Sequence, residues 1–312
     1  LAGVVYGLVE ASNAGLAATR VLLSIAAGVI LLVAFVVVEM RSPTPMMPLD
    51  LFRSRTFSGA NLLTLLLYAA LGGMLFFLPF ALIQAHGYSP TAAGSSLLPF
   101  PIVLFALSRW SGGLVDRFGP RLPLLIGPLI ASLGFALMAL PGVGGGYWTT
   151  FFPAIAVLAL GMAVTIAPLT TAVMGAVEAQ RSGVASGINN AVSRLAGLLA
   201  IAILGIVAVA SFGSALEASP AVVSAPPSVR QAMLEQKNRL AAIEIPQDAG
   251  QPTAAALKAA VDDAYLRCFR LVAFSCAGLA VLGALGAYAL VDGGAPKRPD
   301  RPPQRRNSEH PA

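Results

Sequence analysis

Apolar residues fall along this chain in long blocks separated by short polar joints. No Asp, Glu, Lys or Arg occurs from Thr56 to Ser108, from Leu122 to Val177, from Leu195 to Leu216 or from Leu271 to Val291. Each of these stretches is long enough for one or two bilayer crossings of about 20 residues. The blocks predict complete helical spans from Val21 to Val38, Phe57 to Ile83, Ser89 to Arg109, Leu122 to Leu140, Trp148 to Val173, Gly183 to about Ala210 and about Leu266 to Leu290. A partial span runs from Leu1 to Val9. The expected fold class is all-α transmembrane, a helical bundle of seven complete spans plus one partial.

The joints carry turn chemistry. Pro43, Pro45 and Pro48 interrupt helix in the connector from Met40 to Thr56 by removing backbone donors. Ser89 and Pro90 fit an N-cap followed by proline at the first helical position. The 27 apolar residues from Phe57 to Ile83 exceed a straight crossing and predict tilt or a kink near Gly72, Gly73 and Pro79. Residues 211–265 are expected to form the one large extramembrane segment. Within it, Met233, Leu234, Leu240 and Ile243 stand near helical spacing and predict a short amphipathic helix over Val229 to Ile243.

Composition narrows the class. With 57% hydrophobic and 11% charged residues, against roughly a quarter charged in an average soluble domain, the chain cannot cover a water-soluble fold. The net charge of +6 does not point to nucleic acid, which needs a basic face with interleaved aromatics on a folded domain. Lys297, Arg298, Arg301, Arg305 and Arg306 instead sit in a Pro-rich tail, residues 291–312, expected to be disordered, cytoplasmic and close to anionic headgroups. Cys268 and Cys276 read as small packing residues. His86 and His310 are the only histidines, and the glycines from Pro141 to Gly146 lack the Lys-Ser/Thr of a phosphate loop. No catalytic residue, metal ligand or cofactor is expected, and the chain is not read as an enzyme. Leu1 opens in mid-apolar sequence without an initiating Met, so a fragment lacking its N-terminal part is expected.

Counting basic residues on alternate sides places Arg41, Arg53, Arg55, Arg109, Arg117, Arg121, Arg181, Arg194 and the five tail residues together. Long loops count little in this rule, so that side is expected to be cytoplasmic.

One cytoplasmic loop reads Gly112-Gly113-Leu114-Val115-Asp116-Arg117-Phe118-Gly119-Pro120-Arg121. It resembles the signature loop of the major facilitator superfamily, Gly-x-Leu-x-Asp-Arg-x-Gly followed by basic residues. Gly112, Leu114, Asp116, Arg117, Gly119 and Arg121 match, while Pro120 stands where a basic residue is common. Glycines there let helices approach and turn sharply, and an acidic side chain suits a helix N-terminus. The loop is expected either to gate conformational change or to act only as a positive topology determinant.

Pro48-Leu49-Asp50-Leu51-Phe52, Gly87-Tyr88-Ser89-Pro90 and Gly183-Val184-Ala185-Ser186-Gly187-Ile188-Asn189-Asn190 are similar to stretches of the fourteen-span drug/proton antiporter branch, which also has a long loop before its final span. The resemblance implies that the partial span is the seventh of fourteen. Residues 1–56 would be an inter-domain pair and 57–290 a six-span C-terminal domain. It further implies alternating-access efflux of amphipathic small molecules in exchange for protons, with lipid and a missing N-terminal six-span half as partners and the protonation site in that half. Arginine outnumbers lysine and alanine is abundant, as in GC-rich bacterial genes, so a bacterial plasma membrane is expected. A sugar or metabolite transporter of the same superfamily and an inactive membrane fragment or scaffold remain as alternatives.

Polar residues at membrane depth are candidates for a transport pathway. Asn190 and Arg194, one turn apart, either line a central cavity or contact the other half, or else serve interhelical bonding and snorkelling. Asn61, Thr64 and Tyr68 form either a substrate-facing stripe or a packing one. Thr165, Thr170 and Thr171 bracket Pro168, where the helix either breaks at a site or only kinks.

Overall fold

A computed structural model describes residues 2–15, 17–43, 45–142, 146–246 and 250–293. The basic tail residues from Lys297 onward, His310, Gly144 and Gly145 therefore lie outside the described residues. Every regular element among those described is helical. The chain runs through α1 (Ala2–Ala14), α2 (Thr19–Arg41), α3 (Arg55–Gln84), α4 (Pro90–Ser95), α5 (Pro99–Gly112), α6 (Leu114–Phe118), α7 (Arg121–Leu137), α8 (Tyr147–Gly175), α9 (Ser182–Glu217), α10 (Pro220–Val223), α11 (Pro227–Glu235) and α12 (Gln251–Leu290).

Among the described residues, six stretches are long and apolar enough to cross a membrane: Thr19–Arg41, Arg55–Gln84, Pro90–Gly112, Tyr147–Gly175, Ala179–Glu217 and Thr253–Leu290. Ala2–Ala11 and Arg121–Leu137 are shorter apolar helices. The complete span expected to reach Leu140 thus meets a helix that closes at Leu137. Beyond it the Ala139 and Leu140 amides turn back to the Ala136 and Leu137 carbonyls, the tighter pattern that ends helices. At the other extreme, α9 continues to Glu217 and α12 begins at Gln251, so helix occupies both ends of the stretch 211–265. The Lys258–Asp262 and Arg267–Asp263 pairs, each four residues apart, support the polar start of α12.

Local chemistry explains several boundaries. Ser54 accepts the Phe57 amide hydrogen at 3.3 Å and caps α3, and Ser89 accepts that of Ala92 at 3.2 Å to cap α4 with Pro90 behind it. Pro99 and Pro101 remove donors in the first turn of α5, and Tyr147 donates to the carbonyl of the buried Ser96 at 2.6 Å. α3 passes through Pro79 and α8 through Pro153 and Pro168 without a break in either helix.

The helices pair with defined polarity. α7 and α8 are antiparallel and nearly touch: Gly127 faces Thr165, Ala131 faces Gly161, and a Cβ on Gly134 would lie 2.5 Å from the Leu158 nitrogen. α7 also runs antiparallel to α12, with Ser132 donating to the Ala277 carbonyl and Arg270 to the Ala139 carbonyl. α3 is antiparallel to α12, where Gly59 meets Leu290 and Tyr265 donates to the Phe77 carbonyl. It is parallel to α9, where Gly72 meets Gly197. The contacts of α3 with α12 and α9 mirror those of α8 with α7 and α5. These pairings are repeated in part with inverted direction, α3–α5–α7 answering to α8–α9–α12, but the packing of α9 on α12 has no comparable counterpart between α5 and α7. α1 packs on α2 and on α9. In α2 only Val21, Gly28 and Glu39 are buried, so most of its apolar surface faces outward.

These directions gather the signature loop, the start of α3 and the end of α12 at one end of the bundle. At the opposite end α10, α11 and the turn Lys237–Ala242 fold down onto α9 and α12, burying Val222, Val229 and Met233. The amphipathic helix expected over Val229 to Ile243 is split after Glu235. The Gln236 side chain staples the turn, donating to the Ala232 and Glu244 carbonyls and accepting the Glu244 amide hydrogen.

Candidate functional site

The signature loop is built on one backbone requirement and one anchor. Gly119 has φ 70° and ψ 171°, a conformation that is essentially available to glycine alone. It ends α6 and reverses the chain into α7, with its amide bonded to the Val115 carbonyl at 2.9 Å. Arg121 then donates from Nε to the Tyr288 carbonyl at 2.8 Å and lays its guanidinium 4.1 Å from the Tyr288 ring centroid. Arg55 reaches the neighbouring Ala289 carbonyl at 3.3 Å, and Thr56 donates to Asp292 at 2.9 Å. Two cations thus meet the unpaired carbonyls at the negative end of α12.

The remaining signature residues face outward. A Cβ on Gly112 would meet nothing within 4 Å, so within this chain Gly112 does not serve the close helix approach expected of it. Leu114 is half-buried, while Asp116 and Arg117 are exposed, and among the described residues neither makes an ion pair. Asp116 lies in the first turn of α6, its own short helix, rather than at the N-terminus of a neighbouring long one.

The polar stripe on α3 is pointed inward. Asn61 and Thr64 are buried and bond to their own helix through the Phe57 and Ala60 carbonyls, each at 2.9 Å. Both meet Asn189 of α9, whose Nδ2 donates to Thr64 Oγ1 at 2.6 Å and to Asn61 Oδ1 at 3.2 Å. The cluster is an interhelical bridge, and Tyr68 beside it is half-buried. Asn189 was missed as a site residue in the sequence because only the parallel pairing of α3 and α9 brings it to positions 61 and 64.

Thr165 is fully buried against α7 and donates to the Gly161 carbonyl. Thr170 and Thr171 are exposed but bond back to the Ile166 and Ala167 carbonyls. The break considered at Pro168 is absent because α8 stays continuous through it.

Asn190 and Arg194 share the open face of α9 with Gly187 and Ala191. Arg194 stands about 18 Å along the helix from Ser182 at the usual rise per residue. Among the described residues its guanidinium has no carboxylate partner. The carboxylates nearer the bundle are engaged: Glu10 pairs with Arg20 at 2.7 Å, and Glu39 accepts the Met47 amide hydrogen at 2.9 Å. Asp50, in the turn before α3, meets Arg181 before α9 at 2.6 Å. That hydrogen bond is the main reason the Asp50 carboxyl is held below its usual value.

The family model of the Major Facilitator Superfamily matches residues 1–201. The chain is 32% identical over 209 residues to the tetracenomycin C resistance and export protein of Streptomyces glaucescens, covering 67% of this chain and 39% of that protein. It is 30% identical over 258 residues to the multidrug resistance protein Stp of Mycobacterium tuberculosis, covering 80% of this chain and 44% of the other. It is also 34% identical over 180 residues to the lincomycin resistance protein of Streptomyces lincolnensis, covering 58% and 37% respectively. The chain thus spans about two fifths of the length of the curated relatives it matches. With the signature loop and a family match over most of its length, this chain belongs to the major facilitator superfamily.

Proposed function

We propose that this bundle is one half of a secondary active exporter that moves amphipathic small molecules out of a bacterial cell in exchange for protons by alternating access. The observation that carries the reading is the exposed Asn190–Arg194 face on the membrane-crossing helix α9. Polar groups at such depth need protein or water beside them rather than lipid. A second six-helix bundle would face it, and the drug-resistance names of the relatives support the substrate class. In this reading α1 and α2 are the inter-domain pair of a fourteen-span branch member, and residues 57–290 form its C-terminal domain.

α7 acts as the seventh complete crossing, because it stays in register with α12 from Arg121 beside Tyr288 to Ala139 beside Arg270. The arginine-rich end, with Arg41, Arg53, Arg55, Arg109, Arg117, Arg121 and Arg181, faces the cytoplasm of the cell, as does the tail. Asp116 and Arg117, turned outward, are free to latch onto the second bundle in one conformational state. Among the described carboxylates none stands unpaired at membrane depth, so the proton is carried by the other half.

The test is dye efflux from cells or inverted vesicles containing the full-length protein. Efflux that follows the proton gradient and falls at least tenfold with Asn190→Ala plus Arg194→Ala is expected. Gradient-independent dye movement, or uptake of a sugar without dye export, would overturn the reading.

A further inference from the structure

At the end of the bundle opposite the signature loop, a cavity of about 250 Å³ opens between three elements. Phe76, Phe77, Phe80 and Gln84 line it from α3, Tyr265 from α12, and Arg239, Leu240 and Ala242 from the turn above. Phe76 and Phe80 are tilted against one another with centroids 5.5 Å apart, and the Tyr265 hydroxyl is tied to the Phe77 carbonyl, which leaves aromatic surface as the floor. The roof is held in an unusual shape: Leu240 has φ 54° and ψ −130°. A branched side chain at positive φ is a backbone outlier, and such outliers persist where surrounding contacts fix them, often around ligands.

Two residues with polar heads, Gln84 and Arg239, stand among its otherwise apolar lining. Among the described residues the Gln84 side chain makes no hydrogen bond, so its amide is available. Arg239 meets Glu244 at 3.7 Å, and Glu244 is 86% exposed; its other contact is Gln236 Oε1 at 3.4 Å. Neither is a short charge-assisted bond, so the guanidinium keeps donors for an incoming acid. A cationic ligand would meet Arg239 with like charge. The volume suits one or two fused rings and is too small for a two-chain lipid.

We propose that this cavity binds a planar aromatic carboxylate, its rings on the phenylalanine floor and its acid between Arg239 and Gln84. The site is separate from the Asn190–Arg194 face and stands or falls independently of the exporter reading.

The test is equilibrium dialysis of naphthoate against the chain in phosphatidylcholine nanodiscs, with naphthamide as the neutral analogue. Saturable naphthoate binding is expected, tighter than naphthamide by about tenfold or more, in keeping with one charge-assisted contact. Arg239→Gln should remove that preference while leaving naphthamide unchanged, and Ala242→Phe, which fills the cavity, should abolish both. Arg230→Gln, on another face of the same segment, should bind as the parent does, with gel filtration confirming that each variant is folded. Equal naphthoate binding by the parent and Arg239→Gln, an equal loss in Arg230→Gln, or displacement by phosphatidylglycerol, which would assign the cavity to lipid, each overturns the proposal.

Discussion

Arg121, the last basic residue of the signature loop, holds the C-terminal end of α12 through Tyr288, with Nε 2.8 Å from its carbonyl and the guanidinium stacked over its ring. A side chain that charge counting treats only as a topology signal therefore also joins α7 to α12. Lysine keeps the charge but not the planar donor set. Arg121→Lys should lower stability by about 1 kcal/mol and Arg121→Ala by about 2 kcal/mol, the scale of a cation–π contact plus a cation at a helix C-terminus. Thermal unfolding in detergent reads both.

Gly119 and Gly112 separate structure from partnership within one motif. Gly119→Ala must place a Cβ at φ 70° and should cost about 1–3 kcal/mol. Gly112→Ala meets open space and should leave unfolding temperature unchanged. If Gly112→Ala abolishes transport in the full-length protein, the contact it disturbs lies outside this bundle.

The Asn189 bridge should behave as a coupled unit. Asn189→Ala and Thr64→Val each remove the same 2.6 Å bond, so a double-mutant cycle should return about 0.6–1.7 kcal/mol, the range measured between membrane helices. Additive losses would mean that the bond carries no net energy.

Close packing of α7 on α8 makes Gly134 intolerant of a methyl group. Gly134→Ala would press on the Leu158 backbone and should destabilise by about 1–3 kcal/mol. Gly205→Ala, with nothing within 4 Å, should be neutral or stabilising by up to about 1 kcal/mol through helix propensity.

Asp50 sets a pH signature. Its carboxyl lies below the usual 3.8 because Arg181 hydrogen-bonds and pairs with it. The unfolded chain thus binds the proton more readily, and the contribution is complete above about pH 3.8 and lost as pH falls through the lower folded value. The difference in melting temperature between the parent and Asp50→Asn should be constant from pH 7 to pH 5 and shrink only in stronger acid.

The apolar blocks made the helices legible, because lipid-facing and buried positions are mostly apolar and most charges gather at the ends. The Ser89–Pro90 cap was equally legible, since an N-cap acts within one turn. The fate of Asn61 and Thr64 was not: whether polar residues at helical spacing face a cavity or a neighbour depends on which helix lies alongside. At Pro168, where local chemistry allowed either a break or a kink, the helix continues.

By itself the sequence determined that this is a membrane-embedded helical chain with a signature loop of the major facilitator type, because hydropathy and turn chemistry act over one element. Tertiary structure alone decided that Asn189 meets Thr64, that Arg121 holds Tyr288, that Asp50 before α3 finds Arg181 before α9, and that Leu240 roofs an aromatic cavity. Those pairs lie far apart along the chain and meet only through the crossing order of the helices, which no local periodicity encodes.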